Sequence, residues 1–262
     1  LYILLSILGL WLLGNLATYP LQHLFIFRPV RHKADFKFKF EVDFEEIWLD
    51  GYKGGKIHGI HFKTDPAIRK GVVLYFHGNS SSVDAWGEVY HDFLPRGWDL
   101  FLVDYRGFGK SRGKRNEQIL YLDAHLAWTW LKKEFPAENI IIYGRSLGTS
   151  IASNLATHVQ PRKVILETPF FSMVDLFYTY YPILPKAFIF RYVLPNGKHL
   201  EEIASPVIIY HGTKDKTVPY KCGVRLKKYM KEVDEFVTIF DGGHNDLGKF
   251  EVYRTHLEED LR

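Results

Sequence analysis

Ile140-Ile141-Ile142-Tyr143-Gly144-Arg145-Ser146-Leu147-Gly148 sets a serine between two glycines, directly after an apolar run and directly before a helix-like stretch from Thr149 to Thr157. A strand that turns through Gly-x-Ser-x-Gly into a helix has the sequence form of a nucleophile elbow. The turn is too tight for side chains at the glycine positions. It holds the serine backbone strained, so that the hydroxyl projects above the sheet edge. Gly-x-Ser-x-Gly is a common string by itself, and the strand in front of it gives it meaning. The first hypothesis is a serine hydrolase.

Outward from the elbow, the same alternation repeats. Val72–Phe76, Leu100–Val103, Ile140–Ile142, Val164–Leu166, Val207–Tyr210 and Phe236–Phe240 are short apolar runs, as expected of strands covered on both faces. Helical patterns lie among them: Val83 to Leu94, Asp123 to Phe135, the elbow helix, Tyr220 to Met230, and a last one from about Leu247. Strands alternating with helices imply βαβ units and a mostly parallel, doubly wound α/β sheet. Upstream, Phe36–Val42 alternates apolar and charged residues. Ile47–Leu49 and Ile57–Phe62 flank a glycine turn, so the sheet is expected to begin with an antiparallel meander.

The chain has 262 residues, 47% hydrophobic and 24% charged, with a formal net charge of +4. That composition is ordinary for a folded α/β domain. Its charges are mixed rather than gathered in a basic stripe, and Lys110–Arg115 reads as a solvated loop, so no nucleic-acid partner is expected. The one cysteine, Cys222, excludes an internal disulfide and lies in an amphipathic helical pattern, where burial is its expected role. No His and acid grouping at metal spacing is present, so neither metal nor cofactor is expected. Nothing in the sequence fixes the oligomeric state.

Residues 1–27 differ in kind. Leu1 to Ala17 carries no charge, and about 18 apolar residues is near the minimum for a membrane span. The expectation is a single-pass N-terminal anchor, with a signal peptide or a packing helix as rivals. Leu16-Ala17-Thr18-Tyr19 is a poor cleavage site. The chain opens on Leu rather than Met, so further residues upstream are expected. Arg28, Arg31, Lys33, Lys37 and Lys39 follow the segment and favour a cytoplasmic catalytic domain over residues 28–262.

Between Pro169 and Asn196 lie Phe170, Phe171, Phe177, Tyr178, Tyr180, Tyr181, Phe188, Phe190 and Tyr192, interrupted by Pro182, Pro185 and Pro195. Proline density rules out one long helix. The segment follows the fifth core strand, over the edge where open α/β sheets bind ligands. Residues 169–200 are therefore read as a small lid or aromatic wall suited to apolar acyl groups, against the plainer alternative of aromatic-rich helix packing.

A serine hydroxyl needs a base to take its proton as it attacks. In the elbow architecture the partners follow in the order serine, acid, histidine. His211-Gly212-Thr213-Lys214-Asp215 follows one strand and Asp241-Gly242-Gly243-His244 follows the next, so Ser146, Asp215 and His244 come from three loops at one sheet edge. Ser146 is the expected nucleophile, His244 the base, and Asp215 the group that orients the imidazole. The expected oxyanion donors are the backbone N–H groups of Leu147 and Asn79, the latter in Phe76-His77-Gly78-Asn79, with Ser80 as the alternative to Asn79. Rivals remain at this stage: Asp241 or Asp246 as the acid, and His77 as the base. Asp104–Ser111 is glycine-rich without the spacing of a phosphate-binding loop and reads as a structural turn under the site.

Together, Phe76–Asn79, Asp104–Ser111, Gly144–Gly148, His211–Asp215 and Gly243-His244 resemble the α/β-hydrolase superfamily. Within it they resemble the N-terminally membrane-anchored α/β-hydrolase domain-containing serine hydrolases and their bacterial relatives. The resemblance runs from about Val72 to the end. It implies an α/β-hydrolase fold, the triad Ser146, Asp215 and His244, and cleavage of an ester or thioester of a small-molecule or lipid acyl substrate. Some relatives are classed with serine peptidases, which makes a peptidase of small peptides the second reading. A non-catalytic binding protein on the same fold is the third.

Overall fold

A computed structural model describes residues 2–184 and 186–262. Its centre is an eight-stranded sheet. In chain order the strands are β1 (Phe44–Gly51), β2 (Gly55–Phe62), β3 (Gly71–Phe76), β4 (Trp98–Val103), β5 (Ile140–Arg145), β6 (Lys163–Glu167), β7 (Val207–Gly212) and β8 (Glu235–Ile239). Their spatial order is β8-β7-β6-β5-β3-β4-β2-β1. β2 runs antiparallel to both neighbours, and the remaining pairings are parallel. This is the mostly parallel sheet with an antiparallel start that the sequence pattern implies.

Period-2 geometry splits each apolar run between two cores. Val72, Leu74, Phe76, Ile140 and Ile142 face one side, where helices α2 (Glu117–Leu131) and α3 (Gly148–Ala156) supply Leu120, Ala124, Ile151 and Leu155. Val73, Tyr75, Ile141 and Tyr143 face the other, against Tyr90, Phe93 and the C-terminal helix (Glu251–Asp260) through Tyr253 and Leu257. Helix α2 begins six residues before the expected Asp123 because the Asn116 side chain caps it, accepting from Ile119 N at 2.8 Å.

Three local expectations change. Phe36–Val42 is not a strand: it has no ladder partner and bends at Glu41-Val42, and Phe36, Phe38 and Phe40 form a row of ring contacts instead. The Val83–Leu94 helix is broken into Val83–Trp86 and Tyr90–Phe93, with 3-10 turns at Gly87–Val89 and at Leu94–Arg96, the latter carrying a proline at its start. Tyr220–Met230 likewise divides into an α-turn, Tyr220–Val224, and a 3-10 stretch, Arg225–Tyr229.

Where a single-pass anchor is expected, over residues 1–27, the structure places helix α1, Tyr2–Thr18, of 17 residues. Among the described residues no helix is long and apolar enough to cross a membrane. The segment is tied to the aromatic insertion. Trp11 Nε1 donates to Ala187 O at 2.6 Å, Ile189 N donates to Asn15 Oδ1 at 2.7 Å, and Arg191 N donates to Gln22 Oε1 at 2.7 Å. These side chains satisfy backbone groups of a stretch that has no ladder of its own. Phe27 then plugs the segment into the core, edge-on to Tyr192 and Phe108.

One buried histidine ties the elbow helix down. His199 Nδ1 lies 2.8 Å from Ser153 Oγ and its Nε2 lies 3.3 Å from Asn154 Nδ2, while Ser153 donates to Asn196 Oδ1. An imidazole with one donor and one acceptor nitrogen fits these partners, and a cation does not. Burial, with a smaller push from Lys198, holds the His199 pKa down at about 4. The unfolded chain therefore binds a proton below its ordinary value of about 6.5 that the folded chain refuses. Stability is expected to fall as pH drops from about 6.5 to 4, by on the order of 3 kcal/mol from this group. Urea unfolding across that range checks it, and His199→Gln removes this part of the slope.

Candidate active site

The strand-to-helix turn at the end of β5 requires both of its glycines for close approach. A Cβ on Gly144 would lie 2.5 Å from Gly148 O, and one on Gly148 would lie 2.0 Å from Phe76 O. Ser146 adopts φ 51°, the left-handed region that disfavours a non-glycine residue. Neighbouring groups hold it there: Ser146 N donates to Glu167 O at 2.9 Å, and Ser146 O accepts from Thr149 N at 3.0 Å and Thr149 Oγ1 at 2.6 Å. A serine in strained backbone geometry is thereby held between a strand and a helix at the sheet edge.

Two more loops meet it there. His244, after β8, places Nε2 3.0 Å from Ser146 Oγ. Its Nδ1 lies 2.7 Å from Asp215 Oδ2 in the loop after β7. Asp215 Oδ1 accepts from Thr217 N at 2.8 Å and Val218 N at 2.7 Å, which fixes the carboxylate plane. Burial opposes ionisation of Asp215, but hydrogen bonds from His211, His244 and the Val218 N–H outweigh it and hold the carboxyl well below the usual carboxylate range. An ionised Asp215 keeps the proton on His244 Nδ1, leaving the Nε2 lone pair to accept from the serine hydroxyl. The structure thus brings together Ser146, His244 and Asp215.

The rival residues lie elsewhere. Asp241 is exposed and pairs with Lys214 at 2.9 Å, and Asp246 accepts from Gly243 N inside its own loop. His77 is fully buried, with Nδ1 2.7 Å from Gly78 O and Nε2 3.3 Å from Asp104 Oδ1. Cys222 is buried beside Thr179.

The loop after β3 runs past Ser146: a Cβ on Gly78 would lie 3.8 Å from Ser146 Cβ. Tyr105, in the turn after β4, donates its hydroxyl to His77 O at 2.6 Å and braces that loop. The Asn79 side chain is engaged by Ile26 O, and its carbonyl accepts from Arg28 N. Among the described residues no acceptor meets the backbone N–H of Asn79 or of Leu147.

Helix α4 (Met173–Tyr180) opens the aromatic insertion after β6, capped by the Ser172 hydroxyl. Phe177 gathers Tyr178, Tyr181, Phe188 and Phe190 around it at centroid distances of 5.1–5.9 Å. Tyr180 donates to Lys216 O at 2.5 Å, joining the insertion to the loop that carries Asp215.

Over 209 residues the chain is 32% identical to human alpha/beta hydrolase domain-containing protein 17B, an alignment covering 79% of this chain and 70% of that protein. The chain belongs to the α/β-hydrolase family. It is also 30% identical to alpha/beta hydrolase domain-containing protein 17C of Xenopus tropicalis, over 86% of this chain and 72% of that one. A family model described as serine aminopeptidase, S33, matches residues 67–196. Among solved structures, an esterase of Pyrococcus furiosus superposes with a TM-score of 0.70 at 20% identity, covering 90% of this chain and 97% of that one. Acetyl xylan esterase 1 of Thermoanaerobacterium superposes with a TM-score of 0.64 at 17% identity, covering 88% and 86%. At these identities the two structures establish the fold.

Reading the motifs missed two supporting residues of this α/β hydrolase. Glu167 holds Ser146 N through its carbonyl, and its side chain lies 3.0 Å from Arg145 Nε. A charged residue ending the otherwise apolar run Val164–Leu166, and another inside the elbow, were the available signals. Tyr105 gave no signal, because its role depends on where β4 lies beside β3.

Proposed function

We propose that this α/β hydrolase is a serine esterase that cleaves carboxylic esters or thioesters of an apolar acyl group through an acyl-enzyme. The observation that carries the reading is the continuous hydrogen-bond path from Asp215 Oδ2 to His244 at 2.7 Å and from His244 to Ser146 Oγ at 3.0 Å. Ser146 Oγ attacks the carbonyl carbon while His244 Nε2 takes its proton. The same proton passes to the leaving oxygen or sulfur as the acyl–heteroatom bond breaks. Water then repeats the sequence on the acyl-enzyme and releases the acid. The tetrahedral oxyanion falls between the N–H groups of Leu147 and Asn79, each contributing on the order of 3 kcal/mol to the barrier reduction.

The aromatic insertion over residues 169–200 supports an apolar acyl substrate, and no metal or cofactor enters the scheme. The uncharged N-terminal segment, with Leu13, Leu16 and Phe25 exposed, is the part we assign to a membrane surface. The family model's description favours a second reading, a peptidase of small peptides. An aminopeptidase needs a carboxylate to hold the substrate ammonium. Asp175 is the one acid between Pro169 and Asn196, and it is already paired with Arg225.

p-Nitrophenyl esters of increasing chain length test the choice. Each methylene buried contributes about 0.8 kcal/mol, so kcat/KM is expected to rise by about fourfold per added methylene until the site is filled. Faster turnover of aminoacyl amides than of esters would overturn the esterase reading.

A further inference from the structure

Arg145 stands between Gly144 and the nucleophile, yet its side chain turns toward the base. Its Nη2 donates to His244 O and to Asn245 Oδ1, both at 3.2 Å. Its Nε lies 3.0 Å from Glu167 Oε1, and its Cζ sits 5.2 Å from the centre of the Trp86 ring. Glu167 is itself fixed: it is 4% exposed, and its Oε2 accepts from Tyr143 OH at 2.5 Å and from Tyr253 OH at 3.4 Å. Arg145 and Glu167 are register partners on β5 and β6, so a sheet-anchored carboxylate holds a guanidinium that holds the base loop.

That loop needs a hold. His244 follows Gly242-Gly243, a pair with wide backbone freedom. Before the histidine, the loop is tied by Lys214 N to Gly242 O at 2.9 Å. Gly243 N donates to Asp246 Oδ1 within the loop, and Arg145 reaches the His244 carbonyl and the Asn245 side chain from β5, outside it. The imidazole must stay within hydrogen-bond reach of both Ser146 and Asp215, and about 1 Å of misplacement costs about a hundredfold in rate.

We propose that Arg145 is a positioning residue for the reaction: its guanidinium, locked by Glu167, clamps the His244–Asn245 backbone so that His244 Nε2 stays on the Ser146 hydroxyl. The extended guanidinium explains the choice of arginine, because its Nε pairs ionically with Glu167 while its Nη2 donates to two acceptors in the base loop. A lysine ammonium on a flexible stem cannot hold all three. Arg145 does not touch the reacting atoms and acts through His244.

This inference rests on the serine-hydrolase reading, and one experiment separates the two. Wild type, Arg145→Gln, Arg145→Lys and Asn245→Ala are compared in p-nitrophenyl ester turnover and in the rate of labelling by a fluorophosphonate, with thermal unfolding measured alongside. Arg145→Gln is expected to lower kcat by 10- to 100-fold with KM within about twofold, and to slow labelling in parallel. Arg145→Lys is expected to recover part of that loss. Asn245 is exposed, so Asn245→Ala tests the clamp without burdening the core, with an expected loss of a few-fold in kcat alone. Arg145 variants that stay folded with wild-type kcat would overturn the proposal. So would a loss that appears in KM, or an Arg145→Gln that unfolds while Asn245→Ala keeps full kcat. A folded wild type that neither labels nor turns over ester contradicts the serine-hydrolase reading instead.

Discussion

Ser146→Ala is expected to lower kcat on a p-nitrophenyl ester by about a millionfold, the scale on which removal of a triad nucleophile acts in other serine hydrolases. The substitution removes one oxygen. It leaves His244 and Asp215 2.7 Å apart and every backbone bond of the elbow in place. Alanine also relieves nothing at φ 51°, since it retains the Cβ that makes that conformation costly. Unfolding curves should therefore match those of wild type within a few tenths of a kcal/mol to about 1 kcal/mol, as for a surface-edge change. Circular dichroism and steady-state kinetics on the same preparations separate loss of chemistry from loss of fold.

Asp215→Asn should cost about ten-thousandfold in kcat, with the geometry intact. The amide oxygen can still accept from Thr217 N and Val218 N, so the side chain stays where the carboxylate was. Its NH2 group then faces His244 Nδ1 and donates to it. That places the imidazole proton on Nε2, pointing at Ser146, and the base loses the lone pair it needs. The carboxyl of the wild-type protein is held well below the usual range, so it remains ionised where an ordinary aspartate would already be titrating. The acid limb of wild-type kcat/KM is therefore not set by Asp215. Measuring kcat across pH for the Asn variant checks this: a uniform loss fits the tautomer argument, whereas recovery of the full rate at any pH counts against it.

Much of this was legible in the chain because the deciding signals are local. Val72–Phe76 and Ile140–Tyr143 are apolar at every position, which only a strand buried on both faces requires. A glycine pair around Ser146, and polar loops directly after Tyr210 and Phe240, place three candidate side chains at strand ends by counting residues. Parallel strands then put those ends on one edge. Other features depend on partners far away in sequence. Phe36, Phe38 and Phe40 alternate as a strand would, but β1 is already the sheet edge and their rings find one another instead. Residues 187–191 carry no pattern, since Trp11, Asn15 and Gln22 satisfy their backbone from more than 160 positions away. Arg145 and Glu167 each stand out locally as charges, but their pairing is set by β5–β6 register rather than by either local motif.

Site-resolved labelling tests the central claim most directly. Folded wild-type protein is treated with a fluorophosphonate, weighed intact by mass spectrometry and mapped by peptide. The expected result is one adduct per chain, on Ser146, absent from Ser146→Ala and slowed by orders of magnitude in His244→Ala. A folded wild-type chain that takes no label, or a Ser146→Ala chain that labels at the wild-type rate, would contradict it.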